Sequence, residues 1–424
     1  MHTIESTRAV TRWTSRLIPV LLVAAVSYAT YAVVGRVCST YLINKRGEVG
    51  AAIAILILYF LFLLLMVATY LRTILIVFLD PGVVPLGPLA IERRKIAKDN
   101  RKRGRHANDL ESQPYDGGPD SNPDSPGLEL FYTKDIFVCE NDGRPKWCSE
   151  CCNWKPDRVH HSSEIDRCVY RMDHYCPWVG GMIGENSFKF FVQFTTYTAC
   201  YCGVVLGATA SSLRKQISEG SSIDPHLIGA MVLGAFFGLF TFLMTVTSMR
   251  YIFLNMTNVD ALGSRSKVYQ LAVRVSRGTE STDKFSTVTY PLPKPNEVTN
   301  SRSNGTARSR AVESRGSSPP LNQSGTSARD DLATRTFAIL KTEPGENPWD
   351  LGIWRNWQTV MGTNVFDWVL PIRKSPCVNH ESHDSFYPMG RVVVDVLARY
   401  DLTNLAMVNG SGLEMRELGK GNRS

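Results

Sequence analysis

Residues 50–71 read GAAIAILILYFLFLLLMVATYL, and none of these side chains carries a charge. A helix of about 20 apolar residues spans the hydrocarbon core of a bilayer. The alternative is a buried helix in the core of a soluble protein, but such helices rarely lack a polar face over this length. The stretch therefore predicts a membrane-spanning helix.

Three further apolar blocks lie on either side of this stretch, at residues 17–34, 191–211 and 227–249. The first block is too long for a signal peptide, and Arg36 follows it where small residues of a cleavage site would stand, so we expect a retained anchor. The pattern as a whole predicts an α-helical integral membrane protein with four transmembrane helices.

Basic residues predict the orientation of these spans. The loop at residues 72–190 contains ERRKIAKDNRKRGRH (92–106), whereas the short loop before the fourth span contains only two basic residues. By the positive-inside rule, the long loop lies in the cytosol. The same rule places the N-terminal tail (1–16) and the C-terminal tail (250–424) on the cytosolic side.

The net charge of +8 has two explanations. Nucleic-acid binding requires basic and aromatic residues on one folded face. Here the basic runs lie beside the spans and in a serine- and glycine-rich tail. Attraction to the anionic cytosolic leaflet is the simpler explanation, so we expect a lipid-bilayer partner and no nucleic acid.

The C-terminal tail has two segments of distinct composition. Residues 280–333 are of low complexity and are predicted to be disordered. Residues 347–362, NPWDLGIWRNWQTVMG, contain three tryptophans. Tryptophan is enriched at membrane interfaces, so this aromatic motif is predicted to form a short helix at the bilayer surface. A local aromatic cluster without a functional role is the alternative.

Half of the ten cysteines fall within the long cytosolic loop, between residues 146 and 190. A disulfide framework would require an oxidising compartment. Closely spaced cysteines with nearby histidines on the reducing side of the membrane indicate metal binding instead. We therefore expect a small cytosolic zinc-binding, cysteine-rich domain between the second and third spans.

The first half of this domain has the spacing of a structural zinc site of the Cys3His type. The candidate ligands are Cys148, Cys151, His161 and Cys168. His160 competes with His161, and Cys152 competes with Cys151, as the ligand. A bound metal would contribute folding free energy to a loop that is poor in apolar residues. Free surface thiols remain the alternative.

The second half, CVYRMDHYCPWVGG (168–181), has the composition of a nucleophilic site. Cys176 would be the nucleophile, because an imidazole such as that of His174 lowers a thiol pKa or accepts its proton. Asp173 would orient that imidazole and stabilise its charged form. The third span follows closely, so Cys176 would meet an acyl chain whose thioester lies at the membrane surface.

These residues resemble a known family. Asp-His-Tyr-Cys at 173–176 resembles the DHHC motif of protein S-acyltransferases, or palmitoyltransferases, and is most similar to fungal members with an aromatic residue at the third motif position. WCSECCNWKPDRVHH (147–161), DPG (80–82), TNVD (257–260, where the family has TTxE) and the aromatic motif agree with it. The resemblance covers roughly residues 15–365.

The resemblance implies a two-step transfer. Cys176 would take a long acyl chain, typically palmitoyl, from acyl-CoA and pass it to membrane-proximal cysteines of protein substrates. His174 would act as the base and Asp173 would orient it. The four helices would enclose the acyl chain. Span lengths of about 20 residues favour the thinner bilayers of the endoplasmic reticulum and Golgi, while the vacuole and plasma membrane remain open.

The resemblance also implies zinc, with one departure. The family binds two zinc ions, and the first set of ligands corresponds to the four candidates named above. The second set corresponds to Ser162, Ile165, Tyr175 and Met182, none of which is a usual zinc ligand. We therefore expect one structural zinc, with Tyr175 at a former ligand position. Gly180 and Gly181 replace the usual two asparagines.

Three other functions remain open from the sequence. A catalytically silent family member would recruit partners through its loops, and the missing second zinc site favours it. A RING-type ubiquitin ligase would need eight ligands for two zinc ions, whereas the chain offers four good ones. A transporter would need ionisable residues within the spans, and few are present.

Overall fold

The computed structural model describes residues 17–102, 125–290 and 334–404. The chain divides into two compact units. The first comprises the residues up to Val84, Arg158–Leu262 and Leu351–Asn379. The second comprises Pro85–Asp157, Gly263–Asp350 and the residues from His380 onward. The predicted cytosolic loop 72–190 and tail 250–424 therefore each contribute to both units.

The elements are numbered in chain order. The helices are α1 Leu17–Lys45, α2 Val49–Leu79, α3 Pro88–Lys102, α4 Glu129–Tyr132, α5 Phe188–Ser218, α6 Pro225–Phe253, α7 Asn258–Ala261, α8 Ile353–Met361, α9 Val365–Val369 and α10 Arg391–Arg399. The strands are β1 Ile136–Val138, β2 Lys146–Cys148, β3 Asn153–Lys155, β4 His160–Ser162, β5 Arg167–Val169, β6 His174–Cys176, β7 Gly181–Ile183, β8 Gln270–Val275, β9 Ser286–Tyr290 and β10 Arg335–Lys341.

Four helices of the first unit, α1, α2, α5 and α6, are long and apolar enough to cross a membrane. Each extends beyond the apolar block that predicts it, most clearly α1, which runs to Lys45 where the prediction ends at residue 34. Its second half, Tyr31–Lys45, has π-helical geometry. Apolarity marks only the part of a helix within the hydrocarbon, whereas the helical hydrogen bonds continue into the polar flanks.

Ion pairs join α1 to the loop between α5 and α6, and α5 to the loop between α1 and α2. Arg36 contacts Asp224 at 2.6 Å, and Lys215 contacts Glu48 at 2.6 Å. Asp224 also caps α6, because its carboxylate accepts a hydrogen bond from the backbone N–H of His226 (3.0 Å). These pairs are partly exposed, so each contributes little stability by itself.

The cysteine-rich sequence forms short antiparallel hairpins. In the first unit, β4 pairs with β5 and β6 pairs with β7. In the second unit, β2 pairs with β3. Strands of three residues bury little apolar surface, so these hairpins depend on neighbouring contacts rather than on their own cores.

The second unit also contains a four-stranded antiparallel sheet of order β1-β8-β10-β9. Its core includes the fully buried Phe137, Phe337 and Tyr290, and helix α10 adds buried Val393, Val396 and Leu397. The disordered segment predicted at residues 280–333 therefore starts too early, because residues 286–290 form β9 and pair with β10. Residues 291–333 lie outside the described residues.

Candidate active site

Cys176 is the last residue of β6 and pairs with Gly181 across the β6–β7 hairpin. Its carbonyl oxygen accepts hydrogen bonds from the backbone N–H groups of Val179 (3.3 Å) and Gly180 (3.0 Å). Gly180 has a φ of 74°, a left-handed conformation that favours glycine. The hairpin turn therefore holds Cys176 rigidly, with its side chain buried.

His174 lies two residues before Cys176 and is supported by two successive hydrogen bonds. Its Nδ1 lies 2.6 Å from Oδ2 of Asp173. The other carboxylate oxygen of Asp173 accepts a hydrogen bond from the backbone N–H of Asn258 (2.8 Å), the first residue of α7. With Nδ1 bound to the carboxylate, Nε2 is the nitrogen that remains for proton transfer. It is buried and has no hydrogen-bond partner among the described residues.

The environment of His174 favours the charged imidazolium. Burial lowers the pKa of His174, but the hydrogen bond to Asp173 and the interaction with Cys176 outweigh it and raise the pKa to about 9. An imidazolium at neutral pH is the state that stabilises a neighbouring thiolate. The pair can therefore present a nucleophilic sulfur.

An apolar cavity of about 230 Å³ opens at this pair. Its walls include His174, Cys176, Trp178 and Phe191. A second apolar cavity, of about 260 Å³, reaches Tyr201 on α5. The two cavities share four lining residues, Leu22, Phe194, Thr198 and Phe237. Together they form an apolar space between the membrane helices, beginning at the thiol of Cys176.

Two pairs of candidate metal ligands lie in the cysteine-rich sequence. In the second unit, Cys148 ends β2, and the backbone N–H of Cys151 lies 3.5 Å from its Sγ. In the first unit, His161 and Cys168 are direct partners across the β4–β5 hairpin. Buried thiols and an imidazole of this kind are side chains that could hold a metal ion.

Of the predicted competitors, His160 is the cross-strand partner of Val169, and Cys152 has a side-chain partner within the second unit. The thiol of Cys152 accepts a hydrogen bond from the guanidinium of Arg93 (2.6 Å). Gly87 donates its backbone N–H to the carbonyl of Cys151 (2.9 Å), and a Cβ at Gly87 would lie 1.6 Å from the carbonyl oxygen of Cys152. Glycine at residue 87 therefore permits this close backbone approach.

Comparison with known proteins agrees with this geometry. A family model described as DHHC palmitoyltransferase matches residues 141–264. Palmitoyltransferase pfa5 of Aspergillus fumigatus is 38% identical over 412 residues, which are 89% of this chain and 88% of the relative. Palmitoyltransferase pfa5 of Emericella nidulans is 37% identical over 419 residues, 89% of this chain and 84% of the relative.

The chain belongs to the DHHC palmitoyltransferase family. A more distant relative, palmitoyltransferase PFA3 of Saccharomyces cerevisiae, is 29% identical over 58% of this chain and 57% of its own length. The predicted family resemblance, the membrane fold with four helices and the class of enzyme, a protein S-palmitoyltransferase, are confirmed. Neither a RING-type ligase nor a transporter has this family pattern.

A buried charge network in this palmitoyltransferase fixes α7, whose first backbone N–H binds Asp173. Arg158 contacts the carboxylate of Asp260 at 2.7 Å and donates to the side chain and the carbonyl of Asn255 (2.9 and 3.0 Å). Asp260 also closes a capping box with Thr257. The acid of the TNVD motif therefore fixes α7 where its first backbone N–H reaches the carboxylate of Asp173. Sequence reasoning missed Arg158 and Asn258, although the TNVD motif contains the latter.

Removal of the Asp260 carboxylate should strongly destabilise the protein. Asp260→Ala leaves the guanidinium of Arg158 buried without its counter-ion, and breaking a buried pair in this way costs about 3–5 kcal/mol. Asp401→Ala is the matched control, because Asp401 pairs with Lys284 on the exposed surface and should cost less than about 1 kcal/mol. Thermal unfolding of both variants in detergent measures the difference, and equal midpoints would contradict the assigned role.

The two glycines that replace the family asparagines have different surroundings. A Cβ built on Gly181 would lie 2.2 Å from Cγ1 of Val77 in α2. Gly180 has a left-handed backbone, which asparagine tolerates better than most residues. The β6–β7 hairpin therefore packs on α2 more closely than a side chain at residue 181 would permit.

Restoring the asparagines one at a time tests this packing. Gly181→Asn should destabilise the protein by about 1–3 kcal/mol, because the β-branched side chain of Val77 cannot rotate away easily. Gly180→Asn should cost less, about 1 kcal/mol or below, because asparagine is among the residues that best tolerate a left-handed backbone. The thermal midpoints of the two variants give the comparison. A stable Gly181→Asn protein would show that the hairpin moves freely against α2.

The positions that the resemblance implies for a second zinc set make other contacts. Tyr175 and Met182 are cross-strand partners in the β6–β7 hairpin, and Met182 is buried. The hydroxyl of Ser162 donates to the carboxylate of Glu164 (2.7 Å). Strand pairing and local hydrogen bonds therefore occupy positions where the resemblance implies metal ligands.

Proposed function

We propose that this palmitoyltransferase moves a long-chain acyl group from acyl-CoA, with palmitoyl-CoA as the donor, through a thioester on Cys176 to cysteines of membrane-associated proteins. One observation supports it above the others. The buried thiol of Cys176 opens onto an apolar cavity between membrane helices and lies beside a histidine held by a carboxylate.

The proposed first step forms the acyl-enzyme. His174 takes the proton of the Cys176 thiol, and the thiolate attacks the thioester carbonyl carbon of acyl-CoA. The new carbon–sulfur bond to Cys176 forms as the bond to the CoA sulfur breaks. The CoA thiolate leaves and takes the proton from His174. Asp173 stabilises the imidazolium throughout and fixes its orientation.

The second step repeats this chemistry with the acceptor. His174 takes the proton of an acceptor cysteine, whose thiolate attacks the acyl carbonyl on Cys176. The acyl group moves to the acceptor, and the proton on His174 returns to the Cys176 thiolate. No free energy source is needed, because one thioester replaces another in each step.

The acyl chain would occupy the two apolar cavities. At the far end, the hydroxyl of Tyr201 lies 2.8 Å from that of Tyr59, which lies 2.7 Å from the hydroxyl of Thr30. These side chains belong to α5, α2 and α1. The phenol of Tyr201 lines the deeper cavity and so supports a limit on chain length there.

Enlarging that end should alter the preferred chain length. Tyr201→Ala should favour stearoyl-CoA over palmitoyl-CoA by roughly tenfold relative to the wild type, since two more buried methylenes contribute about 1.6 kcal/mol. Tyr201→Phe keeps the ring and should keep the palmitoyl preference. Competition between the two acyl-CoAs during enzyme acylation gives the ratio, and an unchanged ratio in Tyr201→Ala would place the chain elsewhere.

One structural zinc is the second part of the proposal, with Cys148, Cys151, His161 and Cys168 as the ligands. The buried thiols and the direct pairing of His161 with Cys168 support it. Thiolate and imidazole ligands in a Cys3His set suit tetrahedral zinc. When bound, the ion would cross-link hairpins that have little core of their own, and it would take no part in the acyl transfer.

The proposed topology places both termini and the cysteine-rich sequence in the cytosol, in an endomembrane of the endoplasmic reticulum or Golgi. The basic run after α2 and the need of Cys148, Cys151 and Cys168 for a reducing compartment support it. A glycosylation acceptor inserted between α5 and α6 should be modified in cells, whereas one placed between α7 and β8 should not.

A single-turnover experiment tests the whole cycle. The purified enzyme is loaded with radiolabelled palmitoyl-CoA, separated from free donor and mixed with a lipidated peptide that carries one cysteine. Label should leave the enzyme and appear on the peptide as a hydroxylamine-sensitive thioester. A peptide with serine in place of cysteine should stay unlabelled. Loss of the label only to water would reject the transfer.

A further inference from the structure

Residues 363–374, which follow the aromatic motif, are held against α5 through their own backbone. Side chains on one face of α5, spaced four residues apart, donate hydrogen bonds to the carbonyl oxygens of this segment at 2.6–3.1 Å. The donors are Lys189, Gln193 and Tyr197, and the acceptors are the carbonyls of Asp367, Trp368, Val369 and Arg373. These backbone carbonyls are therefore satisfied by protein.

Several large apolar side chains of the same segment point away from the protein. Phe366 is 73% exposed and Ile372 is 64% exposed. Other large apolar side chains of α8 and α9 are also exposed. We refer to the whole set as the apolar shoulder, which comprises Ile353, Trp354, Val365, Phe366, Val369 and Ile372. Soluble surfaces rarely expose so many large apolar residues together, so a partner should cover them.

The apolar shoulder lies at the level where the membrane helices end. Its donors on α5 belong to the first turns of that span, which begins at Phe188. Arg72, near the end of α2, donates to the carbonyl of Ile372 (3.4 Å), and Lys374 forms an ion pair with Asp80, the residue after α2. Charged side chains at helix ends mark the boundary between hydrocarbon and headgroups.

We propose that the apolar shoulder inserts into the bilayer leaflet on the side of the active site. Backbone outside a regular helix is tolerated at membrane depth only where protein satisfies its polar groups, as α5 does here. The exposed Arg373 and Lys374 follow directly and would meet anionic headgroups. The lipid surface is thus a partner of the C-terminal segment, in addition to the four spans.

Depth measurement on the full enzyme in nanodiscs tests this insertion. A nitroxide is attached at residue 366 through a genetically incorporated keto amino acid, so the native cysteines stay unlabelled. Two matched sites are residue 242, exposed in the middle of α6, and residue 391, at the start of α10. The nitroxide at residue 366 should collide with oxygen more often than with a water-soluble nickel chelate, as we also expect for the nitroxide at residue 242. A ratio like that at residue 391 would overturn the proposal.

Two further measurements separate lipid from other occupants. Gln193→Leu removes the donor to the carbonyls of Asp367, Trp368 and Leu370. The label at residue 366 should then become more mobile and shallower. An unchanged label would reject the role of α5 in holding the segment. Distances between labels in preparations with two copies per disc give the last check. A short distance together with low oxygen contact would assign the surface to a second copy and overturn the lipid proposal.

Discussion

Cys176→Ser should carry no acyl label after incubation with palmitoyl-CoA, whereas the wild type should form a hydroxylamine-sensitive thioester. A serine hydroxyl has a pKa far above that of a thiol. His174 and Asp173 therefore cannot generate enough alkoxide to replace the thiolate nucleophile. The substitution changes one atom in a buried side chain, so the fold should persist. Denaturing gels with labelled acyl-CoA give the measurement.

The control for this result is Cys200→Ser. Cys200 lies on α5 but is not among the residues that line either cavity. Its variant should be labelled at the wild-type rate. Zinc content and thermal midpoint, measured for each protein, should show that the unlabelled Cys176→Ser enzyme is folded. Label retained in Cys176→Ser would reject Cys176 as the nucleophile and direct attention to another thiol.

Cys148→Ser should lose its zinc and much of its stability. Apparent binding free energies of structural zinc in small zinc-finger peptides are about 10–16 kcal/mol at neutral pH, and in such domains the binding energy is folding energy. The hairpins β2–β3 and β4–β5 have three residues per strand, so little else would hold them. Elemental analysis should give about one zinc per wild-type chain and almost none in the variant.

Cys152→Ser is the matched control for the zinc prediction. Cys152 is adjacent to a proposed ligand, but its thiol is bound by Arg93. The variant should keep its zinc, and its free energy of unfolding should fall by no more than about 3 kcal/mol. A wild-type stoichiometry near two would contradict the single site. It would also require ligands other than Ser162, Ile165, Tyr175 and Met182 for the second ion.

The membrane helices could be predicted because hydrocarbon selects for composition alone. An uncharged stretch as long as residues 50–71 is stable as a helix that spans the membrane. The sheet of the second unit could not be predicted in this way. Strands β8 and β10 are adjacent in the sheet but separated in the chain by β9 and the segment 291–333. Strands this short, paired over such distances in the chain, show no local periodicity from which they could be predicted.

The active site shows the same division. Asp173, His174 and Cys176 are neighbours in the sequence, so their chemistry could be proposed from spacing. The backbone N–H of Asn258 comes from 85 residues further along the chain, and Arg158 reaches Asp260 over 102 residues. Contacts of this kind depend on the return of α6 to the same side of the membrane, which no short window of sequence encodes.

The close approach of Gly181 to Val77 limits how this enzyme can be recombined with its relatives. An engineer who exchanges cysteine-rich segments between family members would bring an asparagine to residue 181, where α2 leaves no room for a side chain. A chimera would therefore need a smaller residue at 77 in the recipient helix. The two positions must therefore be exchanged together, although 103 residues of chain lie between them.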